Sequence, residues 1–135
     1  MAADDAYLTN AETPLNVNAP GVFDNDTPTS GGTPSVTDDV NDGTLTLNDD
    51  GSFTYTPDAG FAGVDTFSYS FQSTELDSNV ATVTITVSPV AVDDEVAAQQ
   101  CEDRTFTPLG NDAGVDPLGS VPTIIAPPEH GTLTY

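Results

Sequence analysis

The sequence predicts an all-β chain: a seven-stranded antiparallel sandwich over residues 1–89, then the N-terminal half of a second repeat over residues 90–135. Three observations lead there. Thr, Val, Asp, Pro and Gly dominate, which favours strands and turns over helices. Apolar and polar residues alternate with the period of a half-buried strand. Three short motifs also recur in the same order at nearly constant spacing.

The strands follow in chain order. Ala6–Thr9, Leu15–Asn18 and Thr33–Thr37 alternate weakly and mark the first three. Leu45 and Leu47 alternate with Thr44 and Thr46 in the fourth. Phe53 and Tyr55 alternate with Ser52, Thr54 and Thr56 in the fifth, and Phe67, Tyr69 and Phe71 with Ser68 and Ser70 in the sixth. Ala81–Val87 is the clearest, with Ala81, Val83, Ile85 and Val87 on one face and three Thr on the other. Asn41-Asp42-Gly43, Asp49-Asp50-Gly51 and Asp58-Ala59-Gly60 supply turns, and Asp50-Gly51 between two alternating runs is a hairpin signal. Short strands with one apolar face each must bury those faces against one another, which two stacked sheets achieve. The expected core is Leu45, Leu47, Phe53, Tyr55, Phe67, Tyr69, Val83 and Ile85. Tyr69 is read as core, with a tyrosine-corner hydrogen bond as the alternative.

The repeat rests on three matches. Ala2-Ala3-Asp4-Asp5 recurs as Ala91-Val92-Asp93-Asp94, 89 residues on. Phe23-Asp24-Asn25-Asp26 is echoed 86 residues on by Leu109-Gly110-Asn111-Asp112. Gly43-Thr44-Leu45-Thr46 returns 88 residues on as Gly131-Thr132-Leu133-Thr134. The second unit lacks counterparts of Asp49 to Val87, so the chain reads as a fragment. Its apolar face, Val96, Phe106, Val121, Ile124 and Leu133, is expected to need a partner for burial.

Charge narrows the function. The chain holds 22 acidic residues against one basic residue, Arg104, for a net charge of −21. A phosphate backbone and an anionic lipid surface would both be repelled, which excludes nucleic-acid partners and disfavours membrane binding. No run of about 18 apolar residues exists to span a bilayer. The first residues lack the basic and apolar regions of a secretion signal, so an exported parent would carry its signal outside this chain. Cys101 is the only cysteine and is read as a buried or free thiol. His130, the only histidine, sits in the turn signal Glu129-His130-Gly131. No nucleophile with a nearby base stands out, so no enzyme is expected.

The runs Gly43-Thr44-Leu45-Thr46, Asp50 to Pro57, Gly60 to Tyr69 and Ala81 to Val87 resemble bacterial cadherin-like and immunoglobulin-like tandem repeats of large surface adhesins and exported proteins. The opening Ala-x-Asp-Asp and the later Asn-Asp pair fit the same pattern. The resemblance implies a cadherin-like or immunoglobulin-like sandwich, an extracellular or cell-surface location, and neighbouring repeats of the same chain as partners. One departure stands out. Asn25-Asp26 is followed by Thr27-Pro28-Thr29-Ser30-Gly31-Gly32, and Asn111-Asp112 by Ala113-Gly114-Val115-Asp116, where many such repeats carry an Asp-rich turn.

Calcium is the one cofactor the residue types favour, because it takes oxygen ligands from Asp, Asn and carbonyl groups. Too few His and Cys are present for zinc. The candidate ligands are Asp4, Asp5, Asp24, Asn25 and Asp26 in the first unit, with Asp93, Asp94, Asn111 and Asp112 in the second. In a sandwich the second group would share a pole facing the end of the first unit and its loops Asp38–Asp42 and Asp58–Gly63. A solvated acidic surface is the competing reading. Asn25-Asp26-Thr27 also matches a glycosylation acceptor by chance. The expected function is a non-catalytic spacer or stalk module, calcium-rigidified at the junction. The alternatives are a filament or surface-layer subunit completed through open strand edges, and a polysaccharide-binding module. The last would use Tyr7, Phe23 and Phe61, the aromatics outside the strongly alternating strands.

Overall fold

The computed structural model describes residues 1–27, 32–72, 78–95, 97, 105, 109–114 and 132. Seven strands form: β1 (Asp5–Asn10), β2 (Leu15–Val17), β3 (Thr33–Asp38), β4 (Gly43–Leu47), β5 (Phe53–Pro57), β6 (Gly63–Gln72) and β7 (Ala81–Ser88). They make a four-stranded sheet in the order β1-β7-β6-β3 and a three-stranded sheet in the order β2-β5-β4. The expected second-unit face of Val96, Phe106, Val121, Ile124 and Leu133 lies outside the described residues, as do Cys101, Arg104 and His130.

Period-two patterning drives the packing. Along β7 the even-numbered Thr side chains point outward while Ala81, Val83, Ile85 and Val87 are buried. Phe67, Tyr69 and Phe71 line the same inner face from the neighbouring β6, and Phe53 and Tyr55 from β5 meet them across the sandwich. Tyr7, Phe53 and Phe67 form an edge-to-face series with centroid spacings of 5.0 and 5.5 Å. Of the expected core, Phe53, Tyr55, Phe67, Tyr69, Val83 and Ile85 are fully enclosed, and Leu45 and Leu47 pack half-buried at its margin. Those two sit on β4, an edge strand with only β5 beside it.

One expectation is corrected. The sandwich is not wholly antiparallel, because β1 pairs parallel with β7 from Asp5↔Val83 to Asn10↔Ser88. Successive strands alternate in direction, so the first and the last, both odd in the series, run the same way. They can be neighbours only as a parallel pair, joined through every strand between them rather than by a hairpin.

The expected hairpin forms. β4 and β5 pair antiparallel from Gly43↔Pro57 to Leu47↔Phe53, and Gly51 takes the left-handed φ of 84° at the turn. That turn lies against a short 3-10 turn at Gly21–Phe23, where Val22 N–H donates to Gly51 O at 3.0 Å. A Cβ on Gly21 would strike Gly51 O, and one on Gly51 would strike Pro20 O. Glycine is therefore required on both sides of this contact.

Candidate functional site

The acidic motifs gather at the two ends of the sandwich. Strand directions place Met1–Asp4, Asp24–Thr27, the β4–β5 turn and Asn79 at one pole. The β1–β2, β3–β4 and β5–β6 loops lie at the other, where β7 leaves the first unit.

At the first pole the lead segment is held by side-chain amides and carboxylates. Asn79 grips Ala2 from both sides, accepting from Ala2 N–H at 2.9 Å and donating to Ala2 O at 2.8 Å. Ala3 N–H donates to Asp26 Oδ1 at 2.7 Å, and Asn25 Nδ2 donates to Asp4 O at 3.0 Å. Thr27 N–H donates to Met1 O at 3.0 Å, and the Met1 ammonium donates back to Thr27 O. Asp4 Oδ1 also accepts from Thr82 N–H at 2.9 Å, tying the lead to β7. These bonds supply partners for a main chain that precedes the sheet ladder.

Beneath this clasp lies a cluster of oxygens. Tyr69 Oη sits 2.7 Å from Val22 O, 3.0 Å from Asp26 Oδ2 and 3.4 Å from Asp5 Oδ2. A single phenol proton cannot serve three acceptors. Burial, then the charge of Asp26, pushes the Asp5 carboxyl up to about 6, against the pull of hydrogen bonds from Tyr69 and Asn25. As pH falls toward 6, a proton taken up by Asp5 would supply the donor the cluster lacks. Burial and the same two carboxylates also hold the Tyr69 phenol far above its usual range. Tyr69 therefore fills both expected roles, as core side chain and as hydrogen-bond donor to the main chain of an earlier turn.

Part of the clasp recurs over residues 90–113; the bonds that Asn79 and Thr82 make in the first unit have no counterpart there among the described residues. Val92 N–H donates to Asp112 Oδ1 at 2.7 Å, and Asn111 Nδ2 donates to Asp93 O at 3.4 Å. Val90 and Ala113 exchange two main-chain hydrogen bonds, both 2.8 Å, as Met1 and Thr27 do in the first unit. A sequence model of the bacterial cadherin-like domain matches residues 1–89. The chain belongs to this family. No curated protein matches it. Cadherin-like domains are in general non-catalytic structural modules, found in exported or surface proteins.

The expected calcium ligands divide by role. Asp26 and Asp112 each direct one carboxylate oxygen to a main-chain N–H, and Asn25 and Asn111 donate to carbonyls. Asp4 serves β7, Asp5 faces Tyr69, and Asp24, Asp93 and Asp94 are exposed. Among the described residues, no three acidic, His or Cys side chains come together as a metal-sized group.

One residue escaped the sequence reading. Asp65, 3% exposed, accepts from Asn41 N–H at 3.1 Å, Asp42 N–H at 3.0 Å, Thr66 N–H at 2.9 Å and Tyr55 Oη at 3.0 Å. Burial pushes its carboxyl up, but the three N–H donors and the Tyr55 hydroxyl outweigh it and hold the group below the usual range. It anchors the β3–β4 loop at the junction pole. The signal was available: Asp65 has the same parity as Phe67, Tyr69 and Phe71, so the alternation aims it inward.

Proposed function

We propose that this chain is a non-catalytic spacer or stalk segment of an exported or cell-surface protein, built from cadherin-like units in series. The observation that carries the reading is the repeated clasp. Two segments open with the same hydrogen bonds, on residues spaced 89 and 86 apart, and the second follows the first unit's last strand directly. In such arrays each unit contacts its neighbours, and length is the product. The net charge of −21 opposes association between copies.

The competing functions find less support. A polysaccharide platform needs exposed, coplanar aromatics. Tyr7 packs on Phe53, Phe23 packs on Phe71 at 6.0 Å, and Phe61 lies half-buried against the core. Assembly by strand addition needs an open edge, and three of the four edge strands of the first unit are guarded, β4 (Gly43–Leu47) being the exception. β2 has three residues, β3 carries Pro34, Asp38 and a bulge, and β1 is flanked by Asp4 and begins with Asp5.

Calcium enters this proposal as a weak ligand of the exposed Asp93 and Asp94 at the junction, with water completing the coordination. Its affinity would be roughly 10⁻⁴–10⁻³ M, as for extracellular modules. Calorimetric titration after chelation, repeated with Asp94→Asn, tests it: heat lost in the variant supports the site, and no heat in the parent removes it. The spacer reading is tested by small-angle scattering and sedimentation of the full chain. A monomer longer than one unit, whose ten-residue β6 spans about 33 Å, supports it. Saturable polysaccharide binding or polymerisation would replace it with one of the alternatives.

A further inference from the structure

The junction holds a contact that the clasp does not require. Ala113, next after Asp112, is half-buried against the first unit's core. Gly114 follows at a left-handed φ of 76°. A Cβ on Gly114 would lie 2.5 Å from Ala62 Cβ, 3.1 Å from Ala11 Cβ and 3.2 Å from Pro89 Cα. The main chain of this turn thus approaches the first unit more closely than a side chain permits. Ala11 is only 2% exposed although it lies in the loop between β1 and β2. The surface beneath is well braced: Gly60 N–H donates to Glu12 Oε1 at 2.7 Å, and Ala11 N–H to Ser88 O at 2.8 Å.

We infer that the Ala113–Gly114 turn is an interface, seated on the pole of the first unit formed by Ala11, Ala62 and Pro89, and that this seat fixes the angle between adjoining units without a metal ion. The partner is the neighbouring repeat of the same chain, so the inference rests on the serial-spacer reading. The chemistry is that of small residues in close apposition. The apposed groups are uncharged, so neither chelation nor salt should open the contact. A clamp built on Asp93 and Asp94 would behave in the opposite way.

The test is amide hydrogen exchange on the full chain in chelator, read at Val90 and Ala113, with Ile85 and Phe67 reporting the fold of the first unit. The expected result is protection of Val90 and Ala113 by at least about tenfold, unchanged by added calcium. Ala62→Leu fills the seat from the first-unit side, some fifty positions away in sequence, and leaves the glycine turn untouched. It should abolish that protection while Ile85 and Phe67 stay slow. If Ala62→Leu unfolds the first unit, Gly114→Val makes the same test from the other side. Protection of Val90 and Ala113 that survives the variant, or that is absent without calcium, overturns the seat. Failure of the seat in a chain that scatters as an extended monomer leaves the spacer reading intact. Self-association with the seat protected would fault the spacer reading alone.

Discussion

Replacing Asp65 with Ala should cost the first unit about 3–4 kcal/mol. The carboxylate takes hydrogen bonds from Asn41 N–H, Asp42 N–H and Tyr55 Oη, besides Thr66 N–H next to it. Hydrogen bonds to a charged group are worth about 1.5–3 kcal/mol each, and a buried donor left unpaired costs about 1–3 kcal/mol. Three tertiary bonds would sum higher, but relief of the buried carboxylate's desolvation and admission of water to the loop both offset the loss. A domain of this size has a stability of roughly 5–13 kcal/mol, so the change takes a large share of it. Urea unfolding of the parent, Asp65→Ala and the exposed control Asp49→Ala measures it. Because the folded carboxyl is held below its unfolded value, its contribution is present above about pH 4 and is lost as pH falls through the folded value. The gap between the parent and Asp65→Asn should therefore narrow in strong acid. A cost under about 1 kcal/mol, equal to that of Asp49→Ala, would refute the view that this buried carboxylate anchors the β3–β4 loop.

Three further outcomes are expected. Asp5, with its folded carboxyl raised to about 6, binds more protons folded than unfolded between about pH 4 and 6, so stability should fall as pH rises through that window. Discounted for the solvent the side chain still meets, the effect is about 1 kcal/mol, and Asp5→Asn should remove it, as pH-dependent urea midpoints would show. Tyr69→Phe keeps the ring but deprives Val22 O and Asp26 of their donor, costing about 1–2 kcal/mol by thermal unfolding. Gly51→Ala should lower stability by more than about 1 kcal/mol, through left-handed strain and collision with Pro20 O, as chemical denaturation would report.

Much of the sandwich is legible in the sequence because burial imposes a period of two. β5, β6 and β7 show it plainly, since their inward faces are enclosed by both sheets. β3 shows it poorly: it is an edge strand with Val36 still 38% exposed, so little forces its residues to alternate. The parallel β1–β7 pair is invisible locally, because adjacency of first and last strands is decided by the whole topology. The clasp residues stand out in the sequence through their recurrence, but their role does not. An Asp near a turn reads the same whether its oxygen meets a main-chain N–H or a cation, and only the 2.7 Å contacts from Ala3 and Val92 tell the two apart. Asp65 is the converse case, a polar residue on an inward position whose parity gives it away.

The clasps at Ala3 and Val92 are the same device used twice. Hydrogen exchange on the full chain in chelator compares the Ala3 and Val92 amides, which donate to Asp26 and Asp112. Both should be slow, and Asp26→Ala and Asp112→Ala should each speed only the amide of its own unit. Free exchange at Val92 beside a protected Ala3 would contradict the claim that the second segment opens a second unit of the same kind.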